Sequence, residues 1–110
     1  MLRCLLGVLF SALSLTASAA CVSTGCSGVY VDTLYVNASG IIYIGTSGDE
    51  KAMSCSAVSD VYATLNITKP GADAIYSTLL SAQMSGKLVY VRTVDNSSQC
   101  EVLYVTLERQ

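Results

Sequence analysis

Hydrophobic and polar positions alternate along most of this chain, and the places where the alternation slips or changes period divide it into elements. The stretch Val29-Tyr30-Val31-Asp32-Thr33-Leu34-Tyr35-Val36 is rich in β-forming residues. Its apolar phase nevertheless shifts: Val29 and Val31 share one face, and Leu34 and Val36 resume one step late. A two-residue period slips in this way where a strand carries a bulge or a sharp bend, here near Asp32 and Thr33. Asn37-Ala38-Ser39-Gly40 has turn composition, with Gly40 free to take positive φ, and Ile41 to Thr46 returns as the second arm of a hairpin. Ser47-Gly48-Asp49-Glu50 predicts another turn.

From Lys51 to Val58 the pattern is only moderate, and from Val61 to Ile67 it is clean, so this part predicts two short strands or one interrupted strand. The period then changes. After Pro70-Gly71, the residues Ala72, Ile75, Tyr76, Leu79 and Ala82 recur at spacings of three and four, which predicts an amphipathic helix over 72–85. Asp73 suits the positive end of its dipole, and Gly86 ends it. Leu88 to Val94 and Glu101 to Leu107 alternate again, with Asp95-Asn96-Ser97-Ser98 turning between them.

The predicted order is therefore β-β-β-α-β-β: mainly β with one helix. It is the element order of a small five-stranded OB-like barrel, in which the helix between strands three and four plugs one end. A flat α+β sandwich with the helix on one face satisfies the same string.

The residues ahead of this pattern belong to no predicted core. Arg3 precedes an apolar run from Leu5 to Leu15 that is too short to span a bilayer, and Ala17-Ser18-Ala19 follows. That combination predicts a signal peptide over 1–20, cleaved after Ala19 or Ala20, and a single domain over 21–110 in a secreted or periplasmic setting. Cys21 also suits a lipid-attachment position, but the residue three before it is Ser18 rather than the usual leucine.

The chain has five cysteines, and Cys4 leaves with the leader. Cys21, Cys26, Cys55 and Cys100 remain, an even set that in a short exported chain predicts two disulfides and allows three pairings. Cys55 in a predicted strand and Cys100 just before another favour Cys55 to Cys100, with a small loop from Cys21 to Cys26. Loop-closure entropy gives about 4 kcal/mol for the first pairing and about 2 kcal/mol for the second. Zinc ligation wants paired C-x-x-C or histidine, and the chain has no His; a redox pair wants two residues between its cysteines, not four.

Charge narrows the partners. The whole chain carries a net −2, and losing Arg3 brings the remaining domain to about −3. With no basic patch to displace counterions from phosphates, nucleic acid is not an expected partner. Without His a Ser-His-Asp triad cannot form, and Asp49-Glu50 beside Lys51 reads as a solvated turn rather than a catalytic pair. No enzyme activity, cofactor or metal is expected. The aromatics of the mature chain are seven tyrosines. A tyrosine face stacks on a sugar while its hydroxyl hydrogen-bonds, although the same residues equally serve to cover a barrel. Asn37, Asn66 and Asn96 open triplets of the glycosylation pattern.

Four features together resemble a known family: Ser27-Gly28-Val29-Tyr30-Val31, the Cys55 segment, the passage from Tyr76 through Gly86-Lys87-Leu88-Val89-Tyr90-Val91-Arg92, and the late Cys100. The layout is similar to the B subunits of bacterial AB toxins, most nearly those of subtilase cytotoxin and typhoid toxin. The resemblance implies a small exported OB barrel, five copies in a ring, and a serine early in the first strand region that contacts sialic acid. Ser27 is the position that corresponds. This chain departs from the family in its shorter aromatic loops and in its local Cys21 and Cys26 pair. The expectation is a non-enzymatic, lectin-like binding module, with a protein-binding envelope component as the alternative and a homo-oligomer as an implied assembly.

Overall fold

The computed structural model describes residues 20–110. The predicted leader falls almost entirely outside them. Seven strands and one helix follow in order: β1 (Ala20–Val22), β2 (Gly25–Val29), β3 (Val31–Val36), β4 (Ile41–Thr46), β5 (Ala63–Asn66), α1 (Ala72–Ser85), β6 (Val89–Thr93) and β7 (Val102–Thr106). They build two antiparallel sheets, one in the order β1-β2-β6-β7 and one in the order β3-β4-β5.

The predicted closed five-stranded barrel is therefore not what forms, for two physical reasons. First, the predicted first strand breaks at Tyr30, and its halves enter different sheets. Pairing slips between Cys26 and Val29, where Gly28 adopts φ 61°, and again between Val31 and Thr33. A residue without Cβ takes that left-handed backbone freely, and the shift between Val31 and Thr33 is the irregularity that the phase slip near Asp32 predicts. Second, Cys21 pairs directly opposite Cys26 and folds residues 20–22 back as an extra strand.

The two sheets meet along a seam between β5 and β7 that holds one parallel bridge, Thr64 to Glu101. The Thr64 N–H donates to the Cys100 carbonyl at 3.0 Å, and the Thr64 hydroxyl donates to the Gln99 carbonyl at 2.9 Å. The helix α1 packs on β3 and on β7, one strand from each sheet, and so covers the gap between them. Its period-3.6 face is the predicted one: Ala72, Leu79 and Ala82 are buried, with Ile75 and Tyr76 partly so. Gly86 ends it in the left-handed conformation at φ 67°. Val29, Ile42, Ile44, Leu65, Val89 and Val91 fill the space beneath the helix.

Both disulfides pair as expected, Cys21 with Cys26 and Cys55 with Cys100. Cys55, however, lies in a loop and not in a strand. After a short 3-10 turn at Glu50–Ala52 the chain runs irregularly to an isolated bridge between Val58 and Tyr62. Its backbone bonds go to other loops instead of a ladder: Ser54 N–H donates to the Ser23 carbonyl at 2.9 Å and Ser56 N–H to the Ser97 carbonyl at 2.9 Å. Glu50 also overturns the expectation of a solvated turn, because it is only 3% exposed.

Candidate functional site

Two concave patches lie on the outer faces of the two sheets. On the four-stranded sheet, β2 and β6 run antiparallel, which brings Ser27 next to Tyr90, and β7 adds Thr106 opposite Tyr90. The C-terminal tail forms the far wall. Its Gln110 side chain grips the Leu88 backbone in both directions, accepting from the N–H at 2.9 Å and donating to the carbonyl at 2.8 Å. The result is an open groove of about 380 Å³ in which Ser27, Tyr90, Thr106, Glu108 and Arg109 present polar atoms. Ser27 is exposed. It is the one residue singled out from sequence for ligand contact, and it stands in this groove beside a tyrosine and an arginine.

The patch on the three-stranded sheet is aromatic. Hairpin register sets Tyr35 of β3 opposite Tyr43 of β4, and Thr33 opposite Gly45. The rings of Tyr35 and Tyr43 stack at 4.8 Å between centroids and 28° between planes. Tyr62 closes the third side, 6.1 Å from Tyr35 and 5.9 Å from Tyr43, edge-on to the latter at 68°. Together with Thr33, Val58 and Ser59 these rings line a concavity of about 510 Å³. In the sequence no single feature separates these three from the other four tyrosines. The spacing of Tyr35 and Tyr43 about the Asn37–Gly40 turn was a usable signal for that pair, whereas Tyr62 reaches the face from an irregular loop that no periodicity marks.

No family model, curated protein or solved structure matches the chain at a significant level.

The remaining titratable cluster is internal. The Cys21 and Cys26 sulfurs and a Glu50 carboxylate oxygen lie within 4.8 Å of one another. Both sulfurs are bonded to each other and offer no thiolate to a metal. Burial pushes the Glu50 carboxyl above its ordinary pKa, and hydrogen bonds from the Thr46 hydroxyl and the Thr46 N–H offset part of that rise.

Proposed function

We propose that this chain is an exported, non-enzymatic binding module of the lectin type, engaging glycans through the groove beside Ser27. The observation that carries the reading is the composition of that groove: hydroxyls of Ser27, Tyr90 and Thr106 on three neighbouring strands, with the Arg109 guanidinium brought to them by the C-terminal tail. A rigid array of hydroxyl and guanidinium donors around one aromatic face suits a polyhydroxylated ligand. Two disulfides point to an oxidising compartment, and the Cys21 sulfur, bonded to Cys26, has no thiol left for a lipid. Among the described residues no helix is long and apolar enough to cross a membrane.

The pairing scheme is compatible with an OB-like topology at a coarser level than a closed barrel. Taken as one bent strand, β2 and β3 pair with β6 on one side and β4 on the other, and β5 and β7 approach in parallel. That is the neighbour order of an OB barrel left open along one seam. Weak single-site sugar binding gains from several linked copies, so an oligomer belongs to the proposal.

A glycan array with the mature chain tests it. Selective hits that Ser27→Ala abolishes are the expected result, and a blank array overturns the reading of the Ser27 groove as a glycan site. A second reading, a protein-binding envelope component, draws on β7 and its flank, where Leu103 is 53% and Leu107 39% exposed. That reading gains if the array is blank and light scattering finds a monomer.

A further inference from the structure

We infer that the cup formed by Tyr35, Tyr43 and Tyr62 is a second, separate ligand site, taking the apolar C–H face of a neutral pyranose. The inference shares with the proposed function the reading of the chain as a carbohydrate binder, but it rests on a different face and on different residues.

Three observations carry it. The six residues lining the cup include no charged side chain, so an ionic ligand finds no counter-charge there, whereas a neutral one has no charge to desolvate. The aromatic surface is open: Tyr35 is 50% exposed although it stacks on Tyr43. A ring kept half in water on the outside of a sheet leaves a face free for a partner with an apolar surface. The third side is also built to stay in place. The Tyr62 ring lies against Gly45 in mid-strand β4, where a Cβ would stand 3.3 Å from the Thr33 Cβ and 3.4 Å from the ring, so a side chain larger than a methyl would crowd the cup. The turn delivering Tyr62 holds two consecutive non-glycine residues in the left-handed region, Ser59 at φ 54° and Asp60 at φ 65°. Bonds between Val58 and Tyr62 close it in both directions at 2.9 and 3.0 Å. Non-glycine residues adopt that backbone when their surroundings impose it.

The rim supplies the polar half of the recognition. Thr33 and Ser59 hydroxyls border the concavity, positioned to hydrogen-bond ring substituents while the axial C–H bonds of the sugar rest on tyrosine. The geometry favours a pyranose whose substituents are all equatorial, because both its faces then present only axial C–H, whereas an α-mannoside carries an axial oxygen on each face. Its volume of about 510 Å³ lies within the range of small-molecule sites. A proline-rich peptide is the competing occupant, but it needs an extended aromatic groove, and this cup is bounded on all three sides by rings.

The test is an NMR titration of the mature chain with methyl β-glucopyranoside, following the tyrosine ring protons, with methyl α-mannopyranoside as the axial comparison. Expected are saturable shifts confined to Tyr35, Tyr43 and Tyr62, weaker with the mannoside, reduced at least tenfold in affinity by Tyr62→Ala and within about threefold of wild type in Tyr62→Phe. Tyr62 lies outside the strands, and the retained shifts of core methyl groups report that each variant is folded. Absence of saturable shifts at these rings overturns the inference, as does tighter saturation of the same rings by a hexaproline peptide. Ser27→Ala separates the two readings. Ring shifts that persist in Ser27→Ala beside a blank array leave the cup standing and the Ser27 groove refuted. Array hits lost in Ser27→Ala with no ring shifts refute the cup alone.

Discussion

The Cys55–Cys100 disulfide joins two loops 45 residues apart in sequence, and both half-cystines are buried; Cys21–Cys26 joins residues only five apart, and Cys21 is partly open to solvent. The first fastens the loop after the 3-10 turn to the loop before β7, next to the single bridge between the sheets. The second fastens a hairpin over Gly48 and Glu50: a Cβ at Gly48 would sit 2.6 Å from the Cys21 sulfur. Between them lies Met53, its sulfur 3.9 Å from that of Cys26 and 3.5 Å from the Thr93 hydroxyl, which is itself 3.5 Å from the Cys55 sulfur. The same bond thus holds the molecule together in one place and covers a buried acid in the other, with a thin sulfur-lined path connecting them.

The largest effect should come from the long bridge. Replacing Cys55 and Cys100 by alanine is expected to cost about 4 kcal/mol in urea unfolding, enough to remove most or all of the cooperative transition of so small a domain. The double change at Cys21 and Cys26 to serine should cost about 2 kcal/mol and leave the transition cooperative. Equal losses from the two pairs would break the distinction drawn above.

The third prediction concerns the covered acid. Because burial raises the Glu50 carboxyl above its unfolded value, the stability it contributes is fully present below the unfolded carboxyl pKa and is lost as pH rises through the folded one. Glu50→Gln keeps an acceptor for Thr46 and removes that loss. The variant should therefore gain on wild type as pH rises from about 4 toward neutrality. In the Cys21→Ser, Cys26→Ser background, with the cover loosened, the gain should shrink. A gain unchanged in that background would separate Glu50 from the hairpin. The smallest effect is expected at Thr93, which is fully buried and whose hydroxyl meets only sulfur. Thr93→Val should change stability by less than about 1 kcal/mol in either direction; a larger loss would mean that the path between the disulfides matters energetically.

Sequence made the local elements legible wherever one period ruled. The helix at Ala72–Ser85 falls on its predicted bounds because Pro70-Gly71 and Gly86 punctuate a clear 3.6-residue pattern. β4 and the turn before it follow from alternation and from Gly40, which does take positive φ at 84°. What stayed hidden was non-local. The slip near Asp32 announced a bend, but whether a bent strand stays in one sheet or divides between two depends on what pairs with each half. Lys51 to Val58 reads weakly as strand because Met53 and Cys55 are buried and Ala57 partly so at every second position, in a loop whose backbone bonds go to other loops and not to a ladder. Glu50 looked solvated because its neighbours are charged, while the hairpin that covers it lies 24 or more residues upstream. At the groove, Ser27 was found and its companions Tyr90 and Arg109 were not, since three distant segments meet there.

The parting of β5 from β7 carries a mechanical consequence. A full ladder shares shear among many rungs, but here one rung, Thr64 to Glu101, spans the join, beside a cleft of about 370 Å³. The molecule is then a book with its spine at Tyr30 and its clasp at Cys55–Cys100. Opening should therefore begin at that margin, and native-state hydrogen exchange should find amides there released before those of Ile42 and Ile44, without either cover unfolding.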